Sequence, residues 1–381
     1  MGFSMRKFSS VCIVAGGYPT NDNPNFAFIQ PVARGFADNG ITCSVIAAQS
    51  LTNAIKHRKK LRPRIWQDIS LEGNIVNVFQ PVFISFSSKT PRLNAWLSNI
   101  AIKNVIKKNH LNPDVVYGHF WHSAISGARA FENVPVIAVT GESKIWIDKV
   151  HSKKEIQKQI KKISGVISVS TENIQKSTQM GLLTDQMKTI VLPNAVDNNV
   201  FKKSDRHKER KELKIPDDDF VIIFVGAFSE RKGVTRVLNA IKTDSNIKAI
   251  FIGNGELPSC PEQIIYHGVV AHEKIPKYLN ASDVFVLPTL AEGCCNAIVE
   301  AIACGVPVIS SDLPFNYDVL DDTCSILVDP NDINALRDVI VKIENDKALK
   351  KELSIGALKK AEELTISRRV QKIIGFIEST L

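Results

Sequence analysis

Short apolar runs rich in Val, Ile and Phe recur along this chain, each followed by a segment with helical spacing. That alternation limits the fold more than any other feature. Runs of this kind bounded by turn residues predict buried strands, and apolar residues three and four apart predict the helices between them. Repeated strand–helix–strand order predicts a parallel α/β architecture. Strands are expected near residues 11–15, 42–47, 115–117, 136–139, 166–169 and 189–192, with helices over 26–38, 93–108 and 173–180. The pattern breaks at Pro193-Asn-Ala-Val-Asp197, and the charged stretch 202–219 reads as a linker. Strands then resume at 221–225, 249–252, 284–287 and 308–310, again separated by helices.

At 381 residues the chain exceeds one ordinary core, so two domains are expected. They are read as two Rossmann-like halves, residues 1–198 and 199–366, with a last helix over 367–381 expected to pack back on the first. Residues 1–198 hold 24 of the 48 Lys and Arg but 12 of the 39 Asp and Glu. The first half therefore carries a surplus of twelve positive charges and the second a deficit of three, which points to an anionic partner for the first. Its densest patch runs from Lys56 to Trp66 and suits an anionic membrane surface or a lipid-diphosphate acceptor. No recognition motif accompanies the charge, so nucleic acid is not expected. No apolar run reaches the roughly 20 residues of a bilayer span. The short run Val11–Ala15 ends at Gly16-Gly17 and reads as a first strand, not a leader. Seven cysteines without a C-x-x-C pair predict a reducing compartment, the cytoplasm, with association on the inner face of its membrane as a further expectation.

The residues with chemical content follow predicted strands, where ligands of parallel sheets bind. Ala291-Glu-Gly-Cys-Cys-Asn-Ala-Ile-Val-Glu300 places Glu292 in a loop, Asn296 as helix N-cap and Glu300 one turn into the helix. Free amides and the helix dipole there suit a phosphate, and carboxylates suit sugar hydroxyls. Arg231 and Lys232, at the turn after 221–225, can grip a diphosphate by charge-assisted hydrogen bonds. Gly16-Gly17-Tyr18 after the first strand lets backbone approach a ligand, and lacks the G-x-G-x-x-G dinucleotide pattern. His119 and His122 follow another strand, where His119 can donate to a sugar hydroxyl. Glu142 is a weaker acceptor-side candidate, with Tyr18 and His122. Gly253, Gly268 and Val269 lie on turns that can expose backbone to a nucleobase. Asp217-Asp-Asp219 reads as solvated, and no metal or other cofactor is expected.

Together these motifs resemble retaining glycosyltransferase family 4. The matching positions include Gly16-Gly17, His119, Pro193–Asp197, Arg231-Lys-Gly233, Gly253-Asn-Gly255, His267-Gly-Val269, Ala281–Pro288, Glu292–Glu300 and Ala303–Ile309. The opening Tyr18–Pro24 looks like that of bacterial enzymes of surface-polysaccharide assembly. The resemblance implies the GT-B fold, two Rossmann-like domains facing each other across a cleft that closes by hinging near 197–202. It implies a UDP- or GDP-sugar donor and a glycan or lipid-linked acceptor. Arg231 and Lys232 would then bind the donor diphosphate with the amides of Cys295 and Asn296, and Cys294 would lie beside them. Glu300 would hold the ribose, Glu292 and His119 would meet the donor sugar, and Gly17 would approach the phosphates. Ala227 departs from the Arg that many members carry after the first Gly, and Gly141-Glu142 from their His-Gly pair. A nucleotide-sugar epimerase of the same fold, or a non-catalytic protein binding nucleotide sugar or anionic lipid, are the alternatives.

Overall fold

Two largely parallel sheets realise the alternation, each in its own unit of a computed structural model that describes residues 7–20, 22–23, 25–259 and 261–381. The opening motif's Asn21 and Pro24, and Cys260, lie outside the described residues. One unit comprises Met1–Val169, Asn173–Leu192 and Val370–Leu381; the other comprises Ser170–Glu172 and Pro193–Arg369.

The strands of the first unit are β1 (Ser10–Val14), β2 (Thr42–Ile46), β3 (Gln49–Ser50), β4 (Ile65–Ile69), β5 (Ile75–Phe79), β6 (Val82–Phe83), β7 (Val115–His119), β8 (Val136–Thr140), β9 (Ile163–Ser168) and β10 (Lys188–Val191). Eight of them form one sheet in the order β10-β9-β8-β7-β1-β2-β5-β4, and β3 pairs with β6 apart from it. All pairs run parallel except β4 against β5. Helices cover both faces, which is why β1, β7 and β8 read as continuous apolar runs. The order reverses between β1 and β7, the switch point where ligands of such sheets bind. The last helix, Ile366–Thr380, contributes its residues from Val370 onward to this unit. Val370 fills the space above Gly35, and Phe376 that above Gly165.

β4 takes up the end of the Lys56–Trp66 patch, whose residues 56–60 are exposed. It is an antiparallel edge strand, in which Trp66 donates its indole N–H to Gln80 Oε1 at 3.1 Å. The ring also packs edge-on against Tyr18, so it is committed to the fold.

The second unit holds β11 (Phe220–Val225), β12 (Ile247–Ile252), β13 (Ile264–Gly268), β14 (Val284–Leu287), β15 (Val308–Ser311) and β16 (Ser325–Val328). They form one parallel sheet in the order β13-β12-β11-β14-β15-β16, with its switch point between β11 and β14. Phe224, Phe251 and Phe285 are fully buried within it. The stretch 202–219, expected as a linker, is instead part of this unit. It contains the helix Arg206–Leu213, capped by Asp205, whose carboxylate accepts from the amides of His207 and Lys208. Asp283 anchors that helix. Its carboxylate takes Arg210 Nη2 at 2.8 Å, Arg206 Nη2 at 2.7 Å, Lys350 Nζ at 2.7 Å and the Val221 amide at 2.9 Å. Arg210 is fully buried, and its other N–H groups reach the carbonyls of Ala281, Pro216, Asp217 and Asp219.

Candidate functional site

The switch point of the second unit brings together the loop after β11 and the loop after β14. Backbone and side chains stitch the two: Leu290 N donates to Arg231 O, and buried Arg236 spans Glu230 O and Pro288 O. The turn that carries Arg231 and Lys232 is therefore held before any ligand arrives. Both cations converge on one oxygen of Glu292, Arg231 Nη1 and Lys232 Nζ each at 2.7 Å, and Thr289 Oγ1 donates to it at 2.9 Å. Arg231 also reaches Ala291 O.

Lys232 differs from Arg231 in its surroundings: its side chain is 13% exposed, against 47%. Burial alone would pull the Lys232 ammonium down, but the Cys295 sulfur at 3.8 Å and the Glu292 carboxylate hold it above the ordinary lysine value. It stays charged at neutral pH in a half-sheltered place, where Coulomb attraction is screened less than in water. Two cations on a stitched turn, facing the amide end of the helix Asn296–Ala303, can receive a diphosphate.

Cys295, not Asn296, caps that helix. Asn296 is its first helical residue, and its Oδ1 accepts from Asn194 Nδ2 at 2.7 Å. Asn194 also takes up Cys294: its amide N–H donates to Cys294 Sγ at 3.3 Å and its Nδ2 to Cys294 O at 3.1 Å. Cys294 therefore belongs to the Asn194 contact, and its sulfur offers nothing to a ligand. All six described cysteines are buried free thiols, and burial pushes them up, Cys294 and Cys304 to about 12.

Glu300, buried one turn into the helix, is bonded to His272, whose Nε2 lies 2.8 Å from Glu300 Oε1. The Glu300 hydrogen bond raises the His272 pKa, partly offset by burial. Phe201 packs on the imidazole with centroids 5.0 Å apart. No spacing rule marks His272, which is 28 positions away from its partner. Gly253 donates its amide to Gly268 O at 2.9 Å, joining the turns after β12 and β13. A Cβ on Gly253 would stand 1.8 Å from Gly226 O, so the crossing of the turns after β11 and β12 admits only glycine. Val269 lies exposed just beyond.

In the first unit, Gly16 and His122 line one cavity of about 310 Å³ at the β1/β7 switch point. Gly17 yields its side-chain space to Phe26, whose ring would lie 2.3 Å from an added Cβ. His119, the last residue of β7, sits in an aromatic cluster with Phe28 and Phe120 at centroid distances of 5.1 and 4.6 Å. Two acceptor-side expectations are corrected. Tyr18 is fully buried, and its hydroxyl donates to Asp68 Oδ2 at 2.7 Å, an oxygen shared with Arg34 and Gln30. Glu142 spends both carboxylate oxygens on the protein. Oε1 accepts the Trp121 amide at 2.9 Å, and Oε2 accepts Thr140 Oγ1 and the Gly141 amide. It anchors the start of the helix Trp121–Ala130, a carboxylate at the positive end of the helix dipole.

A family model described as glycosyl transferases group 1 matches residues 205–360, the segment holding Arg231, Lys232, Glu292 and Glu300. The chain is 26% identical over 290 residues to the putative teichuronic acid biosynthesis glycosyltransferase TuaC of Bacillus subtilis, covering 72% of this chain and 74% of that one. It is 30% identical over 212 residues to the UDP-Gal:alpha-D-GlcNAc-diphosphoundecaprenol alpha-1,3-galactosyltransferase of Escherichia coli. That match covers 50% of this chain and about half, 54%, of the relative's length. Among solved structures, sucrose-phosphate synthase from Thermosynechococcus elongatus superposes with a TM-score of 0.78 at 17% identity, over 97% of this chain and 98% of that one. The likeness extends over both units and is one of fold, GT-B.

Proposed function

From a chain that carries a glycosyltransferase group 1 domain over residues 205–360, we propose a retaining glycosyl transfer from a nucleoside-diphosphate sugar to a hydroxyl acceptor. The observation that carries the reading is the convergence of Arg231 and Lys232 on Glu292 at the β11/β14 switch point. In the transfer the anomeric C–O bond to the diphosphate breaks and a bond to the acceptor oxygen forms on the same face. The acceptor proton passes to the departing diphosphate. Negative charge grows on that diphosphate, so Arg231, Lys232 and the amides of Cys295 and Asn296 stabilise the transition state more than the ground state. Glu300 takes the ribose hydroxyls, and Glu292 meets the donor sugar. The names of the teichuronic acid and galactosyl relatives favour surface-polysaccharide assembly, a UDP-sugar donor and a glycan or lipid-linked acceptor.

Ribose hydroxyls on Glu300 displace His272, which then loses the hydrogen bond that raised its pKa. Binding therefore releases a proton between about pH 6.5 and the raised free-state value. Affinity rises with pH from about 6.5 until pH passes the raised free-state value, and is flat above it. The test is a thermal-shift panel of UDP- and GDP-sugars, repeated between pH 6 and 8.5. A ligand at about 100 Kd adds about 2.7 kcal/mol of apparent stability. A flat panel sinks the donor reading. A shift that shrinks with rising pH sinks the His272 exchange. Epimerised donor in the absence of acceptor would select the epimerase alternative.

For the first unit we infer association with an anionic lipid surface, through the helix Pro91–Lys108. The helix Pro91–Lys108 carries Arg92, Lys103, Lys107 and Lys108 and no acid, and exposes Leu93, Trp96 and Ile100 at helical spacing. Exposed Phe86 is tied to it through Asn94, and exposed Trp146 lies under Lys144 and Lys149. Cations beside aromatic and aliphatic tips fit a headgroup boundary. No helix among the described residues is long and apolar enough to cross a membrane. The protein should float with anionic vesicles and release in salt, and the double change Trp96→Ser and Trp146→Ser should weaken this. Equal flotation with neutral vesicles overturns it.

A further inference from the structure

The sheet of the first unit ends at β4, and that edge is open. The bonds from Gln80 N to Arg64 O and from Ser70 N to Asn74 O fix the alternation between β4 and β5. Arg64, Trp66, Asp68 and Ser70 therefore direct their backbone groups to β5, and Ile65, Gln67 and Ile69 direct theirs away from the sheet. No described residue bonds to the amides or carbonyls of those three. At the opposite edge, β10 shows exposed Lys188, a charge of the kind that guards a free strand. β4 has no such guard. The side chains of Ile65, Gln67 and Ile69 share one exposed face, and exposed Leu71 and Ile75 extend it. These four apolar side chains are 49–85% exposed, so water meets them in a single chain.

An unpaired edge templates another strand, and the sequence of β4 selects its own copy. Antiparallel pairing about a two-fold axis at Gln67 sets Ile65 against Ile69 of the second copy. Every free group then finds a partner, since the pairs 65–69, 67–67 and 69–65 each exchange two hydrogen bonds. A shift by two residues one way places Ile69 against Pro63, which has no N–H; the other way it runs into the turn at Leu71. The charges agree with the same register. It lays Arg62 and Arg64, at the entry to β4, beside the Ser70–Asn74 turn of the second copy, which carries Glu72 and no cation. Unlike charges therefore meet at both ends of the seam.

We propose that β4 is the seam of a two-fold dimer of this chain, in which two eight-stranded sheets join edge to edge through Ile65–Ile69. Ile65 and Ile69 cover one another across the seam, with Ile75 of β5 beside them. The contact is isologous, so pairing closes the edge on both copies and adds no third strand. The seam lies outside residues 205–360 and stands independently of the transfer reading.

The experiment is sedimentation velocity on the full chain over a concentration series. The mass should move from 42.2 kDa toward twice that value, and the melting temperature should rise with concentration. Gln67→Pro removes an N–H that points out of the sheet and leaves the β4–β5 ladder whole, as edge-strand prolines do. It should weaken the dimer about tenfold, because two hydrogen bonds are lost at the seam. A pair of double variants tests the register. Ile65→Lys with Ile69→Lys opposes like charges and should abolish the dimer, whereas Ile65→Lys with Ile69→Glu opposes unlike charges and should return it. Urea midpoints at a dilution where each variant is monomeric keep loss of the dimer apart from loss of the fold. A wild type that stays at 42.2 kDa throughout leaves the edge to a strand of another protein and overturns the dimer. Undiminished pairing in Gln67→Pro, or a Lys/Glu variant that pairs no better than Lys/Lys, overturns the seam.

Discussion

Lys232→Ala should lower kcat for sugar transfer by about 10²–10³-fold, a loss of about 2.7–4 kcal/mol of transition-state stabilisation. The size follows from where the ammonium sits. Its side chain is largely sheltered, Glu292 and Cys295 hold it charged, and the turn that presents it is fixed by Arg236 and by Leu290 N on Arg231 O. A cation prepositioned in a shielded place stabilises growing negative charge without reorganising. Arg231→Ala should cost less, because nearly half of that side chain meets water and screening weakens its field. The fold should survive both changes, since neither cation is fully buried. Steady-state kinetics with a donor from the thermal-shift panel give the answer. A loss below about tenfold for Lys232→Ala would remove the cation pair from the chemistry.

Asp283→Ala should destabilise the second unit by about 3–5 kcal/mol, the cost of leaving a buried charge unpaired. Arg210 has no route to water, whereas Arg206 and Lys350 can turn outward once the carboxylate is gone. Burial already disfavours the Arg210 charge, and Asp283 is its chief offset. The Val221 amide, at the start of β11, loses its acceptor as well. Because β11 leads into the Arg231 turn, the damage spreads from a structural ion cluster to the site. Urea unfolding should show a lower midpoint for the transition of this unit. Asp283→Asn, which keeps an acceptor for Val221, should lose less. A change below about 1 kcal/mol in Asp283→Ala would mean that water reaches Arg210 after all.

The same cluster explains where the sequence misleads. The helix Arg206–Leu213 was expected to be linker because its residues are almost all charged. Its one fully buried side chain is Arg210, and no apolar periodicity can count an arginine as core. β4 was hidden in a similar way, by the basic run that leads into it, although Ile65, Asp68 and Ile69 pair in register with β5. The central strands were legible because helices cover both of their faces, which demands unbroken Val, Ile and Phe. In the candidate site, the placement of Arg231, Lys232 and Glu292 on strand-end turns and of Glu300 in a helix was legible, because such turns and a helix start leave marks in local sequence. His272 on Glu300, Asn194 on Cys294 and His151 on His122 were not, since each joins distant segments. Tyr18 and Glu142 were misjudged for the complementary reason. Their polar atoms look available in one dimension and are consumed by neighbours in three.

The buried thiols give each unit its own clock. Cys12 and Cys43 lie in the first unit, and Cys294, Cys295, Cys304 and Cys324 in the second. Thiolate is the reactive form, and burial suppresses it while also barring reagents. An alkylating reagent reaches these sulfurs only during an excursion that opens the surrounding strands or helix. Modification rates followed cysteine by cysteine therefore time the breathing of one unit against the other in unlabelled protein.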